Sequence, residues 1–165
     1  MEVEWKTILF FIGLFILVGG LVKTGVINAG AHQLVTITAG NVGATTLAVL
    51  WGSALLSSVV DNIPYVAAMN PLIVDLARAS HPEISDYTTL IHHPDILPVW
   101  WALAAGACFG GNGTLVGASA NVLVADVAQR AGATISFKQF FWYGFPVMIV
   151  TLLVSTSYLW ALFLR

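Results

Sequence analysis

Charge is what this sequence has least of. Six Lys/Arg and eight Asp/Glu make up 8% of its 165 residues, against about 25% in ordinary soluble domains. With 58% hydrophobic residues and a mean hydropathy of +0.88, it has too little polar surface to cover a soluble core. Its few basic residues are scattered and form no patch, which excludes nucleic acid as a partner. Disorder is excluded by the high apolar content and a net charge of only -2. Cysteine is nearly absent, and Cys108 alone excludes both a disulfide framework and a cysteine-built zinc cage. Glu2, Glu4 and Lys6 make a mixed start, and the apolar stretch that follows is too long for a signal-peptide core. The composition is that of a multi-pass integral membrane protein, expected in the cell (plasma) membrane, and it points to no enzyme.

What the sequence does have is apolar segments broken at polar points. Thr7 to Ile27 predicts a first span of about 21 residues, long enough for the hydrocarbon core. Trp5, Trp100, Trp101, Trp142 and Tyr143 sit at segment ends, where interfacial anchors are preferred. Asn28 to Asn41 mixes apolar residues with His32, Gln33, Thr36 and Thr38 and predicts a short interfacial helix. Val42 to Val60 is rich in Gly, Ala and Ser, which favours packing inside protein. It stops at Asp61-Asn62-Ile63-Pro64, and Tyr65 to Ala77 then offers only about 20 Å of helix, itself interrupted at Asn70-Pro71. Two such segments meeting at a polar tip predict a re-entrant helical hairpin.

Arg78 to Pro98 is the one long polar stretch, and its charges and prolines predict a loop outside the membrane. Val99 to Phe109 reads as a half-helix that stops at Gly110-Gly111-Asn112-Gly113-Thr114. Leu115 to Ala131 resumes as a second half, and Phe140 to Leu164 is a final span of about 25 residues. The predicted fold is an all-α integral membrane domain over 1–165. It has three spans, one of them a broken helix, plus the hairpin, as one inverted-repeat half of a secondary transporter. Lys6, Arg130 and Lys138 balance Lys23, Arg78 and Arg165, so the positive-inside rule does not orient it.

Asp61 is the most informative residue. A carboxylate between apolar runs costs a few kcal/mol at bilayer depth and normally marks an ion or proton path. Ser57 and Ser58 precede it at helical spacing, and Asn62 and the backbone opened by Pro64 add oxygen ligands of the kind hard cations take. The Gly110–Thr114 loop is the second feature, since each glycine costs about 1 kcal/mol in a helix interior. In lipid, unwound backbone survives only against protein or a wet cavity, and transporters build sites from such breaks. Thr114 and Asn121 are seven apart and are expected on one face. The alternative reading is a helix-packing face, because Gly106/Gly110 and Gly113/Gly117 are both GxxxG pairs.

The remaining polar residues read more blandly. His81, His92 and His93 are metal-capable but lie in the Pro-flanked loop, so a solvated role is expected. Asp75 is expected to emerge at the end of the hairpin, Asp126 to lie outside the path, and Cys108 to be a packing residue. An aspartyl protease built on Asp61 and Asp126 is disfavoured, since neither follows Gly-x-Gly.

The segments Ser57-Ser58-Val59-Val60-Asp61-Asn62-Ile63-Pro64-Tyr65 and Gly106-Ala107-Cys108-Phe109-Gly110-Gly111-Asn112-Gly113-Thr114-Leu115-Val116-Gly117-Ala118-Ser119-Ala120-Asn121 resemble the ion-transporter superfamily. Its members include arsenite efflux permeases, NhaD-type sodium/proton antiporters, the pink-eyed dilution protein and citrate-transporter-like carriers. The resemblance covers the chain but only the C-terminal of the family's two repeats. It implies a carrier whose hairpin tip and broken-helix loop line the site. By position, Ser58, Asp61, Asn62, Gly111, Asn112, Thr114 and Asn121 fall on those elements as substrate- or ion-binding residues, with Asp61, Asn62 and Asn112 as ligands for Na⁺. No cofactor is implied beyond Na⁺ or H⁺ as coupling ion. Partners would be the transported ion or solute, the lipid bilayer, and a missing N-terminal repeat or a second copy.

Dicarboxylate carriers of the family have Ser-Asn-Thr at the tip where this chain has Asp61-Asn62-Ile63. A carboxylate there would repel a divalent anion, which favours proton-coupled antiport of Na⁺ or an arsenite-like solute over citrate transport. A split or truncated transporter that does not transport alone is the other reading.

Overall fold

The computed structural model describes residues 9, 12, 13, 16, 19, 20 and 23–165, and the expected first span falls largely outside them. The described residues fold into helices α1 (Val26–Ile37), α2 (Val42–Ser57), α3 (Asn62–Ser80), α4 (Tyr87–Ile91), α5 (Leu97–Gly110), α6 (Ser119–Arg130) and α7 (Phe137–Phe163). Local signals set several boundaries. The Asn41 side chain accepts the Ala44 N–H at 2.8 Å to open α2, and Ser136 accepts the Gln139 N–H at 3.2 Å to open α7. Asp86 caps α4 by accepting both the backbone N–H and the hydroxyl of Thr89, each at 2.7 Å.

Length separates the helices by what they can do in a bilayer. With 27 residues, α7 reaches about 40 Å, beyond the hydrocarbon thickness of about 30 Å. It is the one helix among the described residues long and apolar enough to cross, and little of it is buried in the protein, unlike the core helix of a soluble fold. The 16 residues of α2 give about 24 Å and the 14 of α5 about 21 Å, both short of a crossing. Each ends instead at a polar break.

The centre of the molecule is the pairing of α2 with α5. Lipid is as apolar as leucine, so helices associate there through close contact of small residues. A Cβ on Gly106 would collide with the Leu50 carbonyl oxygen and come within 2.8 Å of Ser53 Cβ. A Cβ on Gly110 would collide with the Ala54 carbonyl and lie 2.7 Å from Ala54 Cα. The GxxxG reading thus holds for Gly106 and Gly110, which let two backbones touch. Around this contact α7 adds the fully buried Met148 and Leu152, and the Trp51 indole donates to Thr156 Oγ1 at 3.2 Å. On the other side α3 packs on α5 and α1 packs on α3, while Tyr65 donates from its hydroxyl to Ser53 Oγ at 3.1 Å.

Several sequence expectations need correction. The interruption at Asn70-Pro71 is absent: α3 runs unbroken for 19 residues with Pro71 inside it, because one missing N–H is tolerated where neighbouring helices support the turn. The second half-helix starts at Ser119, four residues later than expected, since Gly117 is drawn into the break. The loop after α3 begins only at His81, and α4 interrupts it. Cys108 is exposed on α5 rather than packed, because the Gly106–Gly110 face takes the contact with α2.

The α2–α5 contact gives a direct prediction. Gly110→Val should destabilise the fold by about 1–3 kcal/mol through overpacking, read as a lower Tm in detergent micelles. Gly52→Ala in α2, where an added Cβ meets nothing within 4 Å, should leave Tm unchanged or slightly raised.

Candidate functional site

Two chain breaks meet at one end of the α2–α5 pair. The first spans 58–61, between α2 and α3; the second spans 111–118, between α5 and α6. Both expose peptide groups that have no intrahelical partner, and in an apolar environment each must find one. Several do so locally, and two bonds cross from one break to the other.

The Asp61 carboxylate is the main connection. One oxygen accepts the Ile63 N–H at 3.2 Å and so caps α3. The other accepts the Ser119 N–H at 2.7 Å, at the first turn of α6, whose own N-cap residue Ala118 provides no side-chain cap. One carboxylate therefore stands at two helix N-termini. Each terminus carries the equivalent of about half a positive charge, so the tip is far closer to neutral than a lone aspartate would be.

The glycine break is held from both sides. Thr114 donates its hydroxyl to the Ser58 carbonyl across the breaks, and the same oxygen accepts the Gly117 N–H at 3.1 Å. The Asn121 amide donates to the carbonyls of Gly111 at 2.8 Å and Thr114 at 3.1 Å, folding the loop back on the start of α6. Gly117 and Gly113 are needed for contact: a Cβ on Gly117 would lie 3.0 Å from the Ser58 carbonyl oxygen, and one on Gly113 would lie 2.7 Å from Met148 Sδ. Just below, Ser57 donates to the Ala107 carbonyl at 2.7 Å and ties the last turn of α2 to α5.

The structure brings Ser58, Asp61, Gly111, Thr114 and Asn121 into one connected cluster, with two departures from the expected roles. Ser57 and Ser58 do not share a helical face with Asp61, because α2 ends at Ser57. The Ser58 hydroxyl turns back to the Leu55 carbonyl at 2.7 Å, and only its carbonyl faces the other break. Thr114 and Asn121 do not share a helical face either, since α6 begins between them; a side-chain amide joins them instead.

The two amides expected as ligands stand differently. Asn62 is half-buried in the first turn of α3, next to Asp61. Asn112 lines a cavity of about 430 Å³ with Gln139, Phe140, Tyr143, Gly144 and Val147, and Asp61 is not among its walls. A carboxylate offers about four acceptor positions, and the two N–H bonds leave Asp61 capacity for a cation or a proton. Asp126 pairs with Arg130 at 2.7 Å on α6, and Asp75 with Arg78 at 3.1 Å on α3, so both are engaged away from the breaks. Sequence reasoning missed Ser119 and Ala107, whose contributions are backbone groups and leave no signature in residue type.

Comparisons with known proteins place the chain among transporters. The family described as citrate transporter matches residues 1–106. An uncharacterized transporter of Mycobacterium tuberculosis strain H37Rv is 48% identical over 96% of this chain, which covers 35% of that protein. An uncharacterized transporter of Synechocystis is 40% identical over 98% of this chain and 37% of its own length. The P protein of Sus scrofa is 43% identical over 96% of this chain and 18% of its own length. The chain thus spans little more than a third of its bacterial relatives. No solved structure matches it.

The threonine that bridges the breaks can be tested by shape-conserving substitution. Thr114→Val removes the hydroxyl and leaves the buried Ser58 carbonyl without its partner, while the Gly117 N–H keeps only its 3.2 Å bond to the Thr114 carbonyl, at a cost of about 1–3 kcal/mol. Thr114→Ser should keep both bonds, so thermal melts in detergent should rank wild type and Thr114→Ser together, with Thr114→Val well below.

Proposed function

This chain belongs to the citrate transporter family of the ion-transporter superfamily, and from that premise we propose that it is the C-terminal repeat of a proton-coupled secondary carrier. The observation that carries the reading is the Asp61 carboxylate held between the N-termini of α3 and α6. The transported species is a small cation such as Na⁺, or a neutral arsenite-like solute. Asp61, Asn62 and the loop Gly111–Thr114 form this repeat's share of the site, with Ser58 and Asn121 shaping it.

The mechanism follows from competition at one carboxylate. Deprotonated Asp61 offers a cation its unused lone pairs while its bonds to Ile63 and Ser119 hold it in position. Protonation removes the charge that attracts the cation and weakens the hold on α6, because a neutral acid is the poorer acceptor. Cation and proton therefore exclude each other, and exchange is coupled. Binding also changes how tightly the hairpin tip is fastened to the broken helix, which links occupancy to the movement of one break against the other. The relatives' greater length supports a second repeat facing these breaks. The plasma membrane is the expected location of the whole carrier.

A second reading, a di- or tricarboxylate carrier, gains from the same geometry. The two helix N-termini offset the negative charge that would otherwise repel an anion at Asp61, and further N–H groups there could receive a substrate carboxylate. Flux distinguishes the readings. In proteoliposomes holding the complete carrier, the antiport reading predicts pH-gradient-driven uptake of Na⁺, Li⁺ or arsenite. Asp61→Asn should abolish that exchange while insertion into the membrane is preserved. Uptake of citrate alone, or exchange in Asp61→Asn with a wild-type pH profile, would contradict the assignment of Asp61 as the coupling residue.

A further inference from the structure

Away from the breaks, the loop between α3 and α5 gathers ionisable side chains that sequence spacing did not reveal. His81 is the C-cap of α3, while His93 and Asp95 precede α5. The two imidazole rings pack with centroids 4.1 Å apart. One ligand atom from each of His81, His93 and Asp95 lies within 4.8 Å of the others. His92, which the sequence suggests equally, turns away, and its Nδ1 lies 2.8 Å from the Thr88 carbonyl.

Carboxylates stand at both nitrogens of His81. Glu83 Oε1 lies 3.3 Å from His81 Nδ1. The ring's other nitrogen, Nε2, lies 3.5 Å from Asp95 Oδ2. On the other ring, the Asp95 N–H donates to His93 Nδ1 over 3.3 Å, a long bond that an ion on this nitrogen would replace. His93 Nδ1 lies 3.8 Å from the same Asp95 Oδ2. Two imidazoles and a carboxylate thus converge on one small space.

We propose that His81, His93 and Asp95 bind a divalent transition-metal ion of the zinc class, tying the end of α3 to the start of α5. Zinc ligands stand at about 2.0–2.2 Å from the ion in a tetrahedron, which puts neighbouring ligand atoms about 3.4 Å apart. The separations of 3.5 and 3.8 Å about Asp95 Oδ2 are close to that edge. Two imidazoles and one carboxylate suit zinc better than the all-oxygen sets of calcium or magnesium. Glu83 behind His81 is the carboxylate–histidine pair that orients a metal-bound ring and raises its basicity. A cavity of about 200 Å³, lined by Ser80, His81 and Asp95, adjoins the site and leaves room for water as a fourth ligand. His81 is 16% and His93 28% exposed, so an ion could enter yet stay partly shielded. The site lies in the loop expected outside the membrane, and it goes beyond the transport reading without resting on it.

The test is a Co²⁺ titration of the purified chain in detergent, followed by visible absorption and then by displacement with Zn²⁺. One Co²⁺ per chain should give the ligand-field bands of a four-coordinate ion, and one Zn²⁺ should remove them. His81→Gln and His93→Gln should each weaken Zn²⁺ binding at least tenfold, Glu83→Gln by about tenfold, and His92→Gln not at all. Asp95→Asn, at a half-exposed position, provides a ligand variant if a histidine variant misfolds. Absence of saturable metal uptake would overturn the proposal, including the case in which acid alone stabilises the loop. So would Zn²⁺ affinity unchanged in Asp95→Asn, or unchanged in folded His81→Gln or His93→Gln.

Discussion

A broken helix in an apolar environment is tolerated only when its loose peptide groups find partners, and that requirement organises this molecule. The breaks at 58–61 and 111–118 each pair part of their backbone locally and leave the rest to be met elsewhere. Two bonds then join them, the Asp61 carboxylate on the Ser119 N–H and the Thr114 hydroxyl on the Ser58 carbonyl. Asp61 is the strongest of these links because a charged acceptor forms hydrogen bonds about twice as strong as a neutral one. It also faces two helix dipoles whose positive ends would otherwise converge without an anion. The close approach of α2 and α5 at Gly106 and Gly110 is what allows the two breaks to meet.

This arrangement changes the meaning of the acidic tip. As a residue in a list, Asp61 is a negative charge that attracts cations and repels anions. In place, it is the anion that two helix N-termini share. Substrate choice then depends on how much of that shared potential is left over, which residue type alone does not determine. The same logic explains why Ser58 acts through its carbonyl and Asn121 through its amide: both mend a break before they contact any solute.

Much of the architecture was legible in the sequence. Apolar run lengths marked α2, α5 and α7, and the Gly-Gly-Asn-Gly-Thr and Asp-Asn-Ile-Pro interruptions marked both breaks. The Gly106/Gly110 spacing marked the packing face. What was not legible depended on where helices end. Helical-face arguments for Ser57, Ser58, Thr114 and Asn121 failed because each crosses a helix terminus that periodicity does not register. Pro71 misled because its cost depends on tertiary support. The grouping of His81 with His93 and Asp95 was hidden because the intervening α4 sets the fold of the loop. In the same way, Ser119 and Ala107 contribute only backbone groups, which every residue possesses.

The central claim is that one carboxylate fastens two helix starts, and amide hydrogen exchange tests it most directly. In the chain held in detergent, peptides covering 62–65 and 118–121 should both be protected. Asp61→Ala should release both segments together, while peptides from the α2–α5 contact around Gly106 keep their protection. Release of 62–65 alone, with 118–121 unchanged, would mean that Asp61 caps α3 and nothing more, and the account of joined breaks would fail.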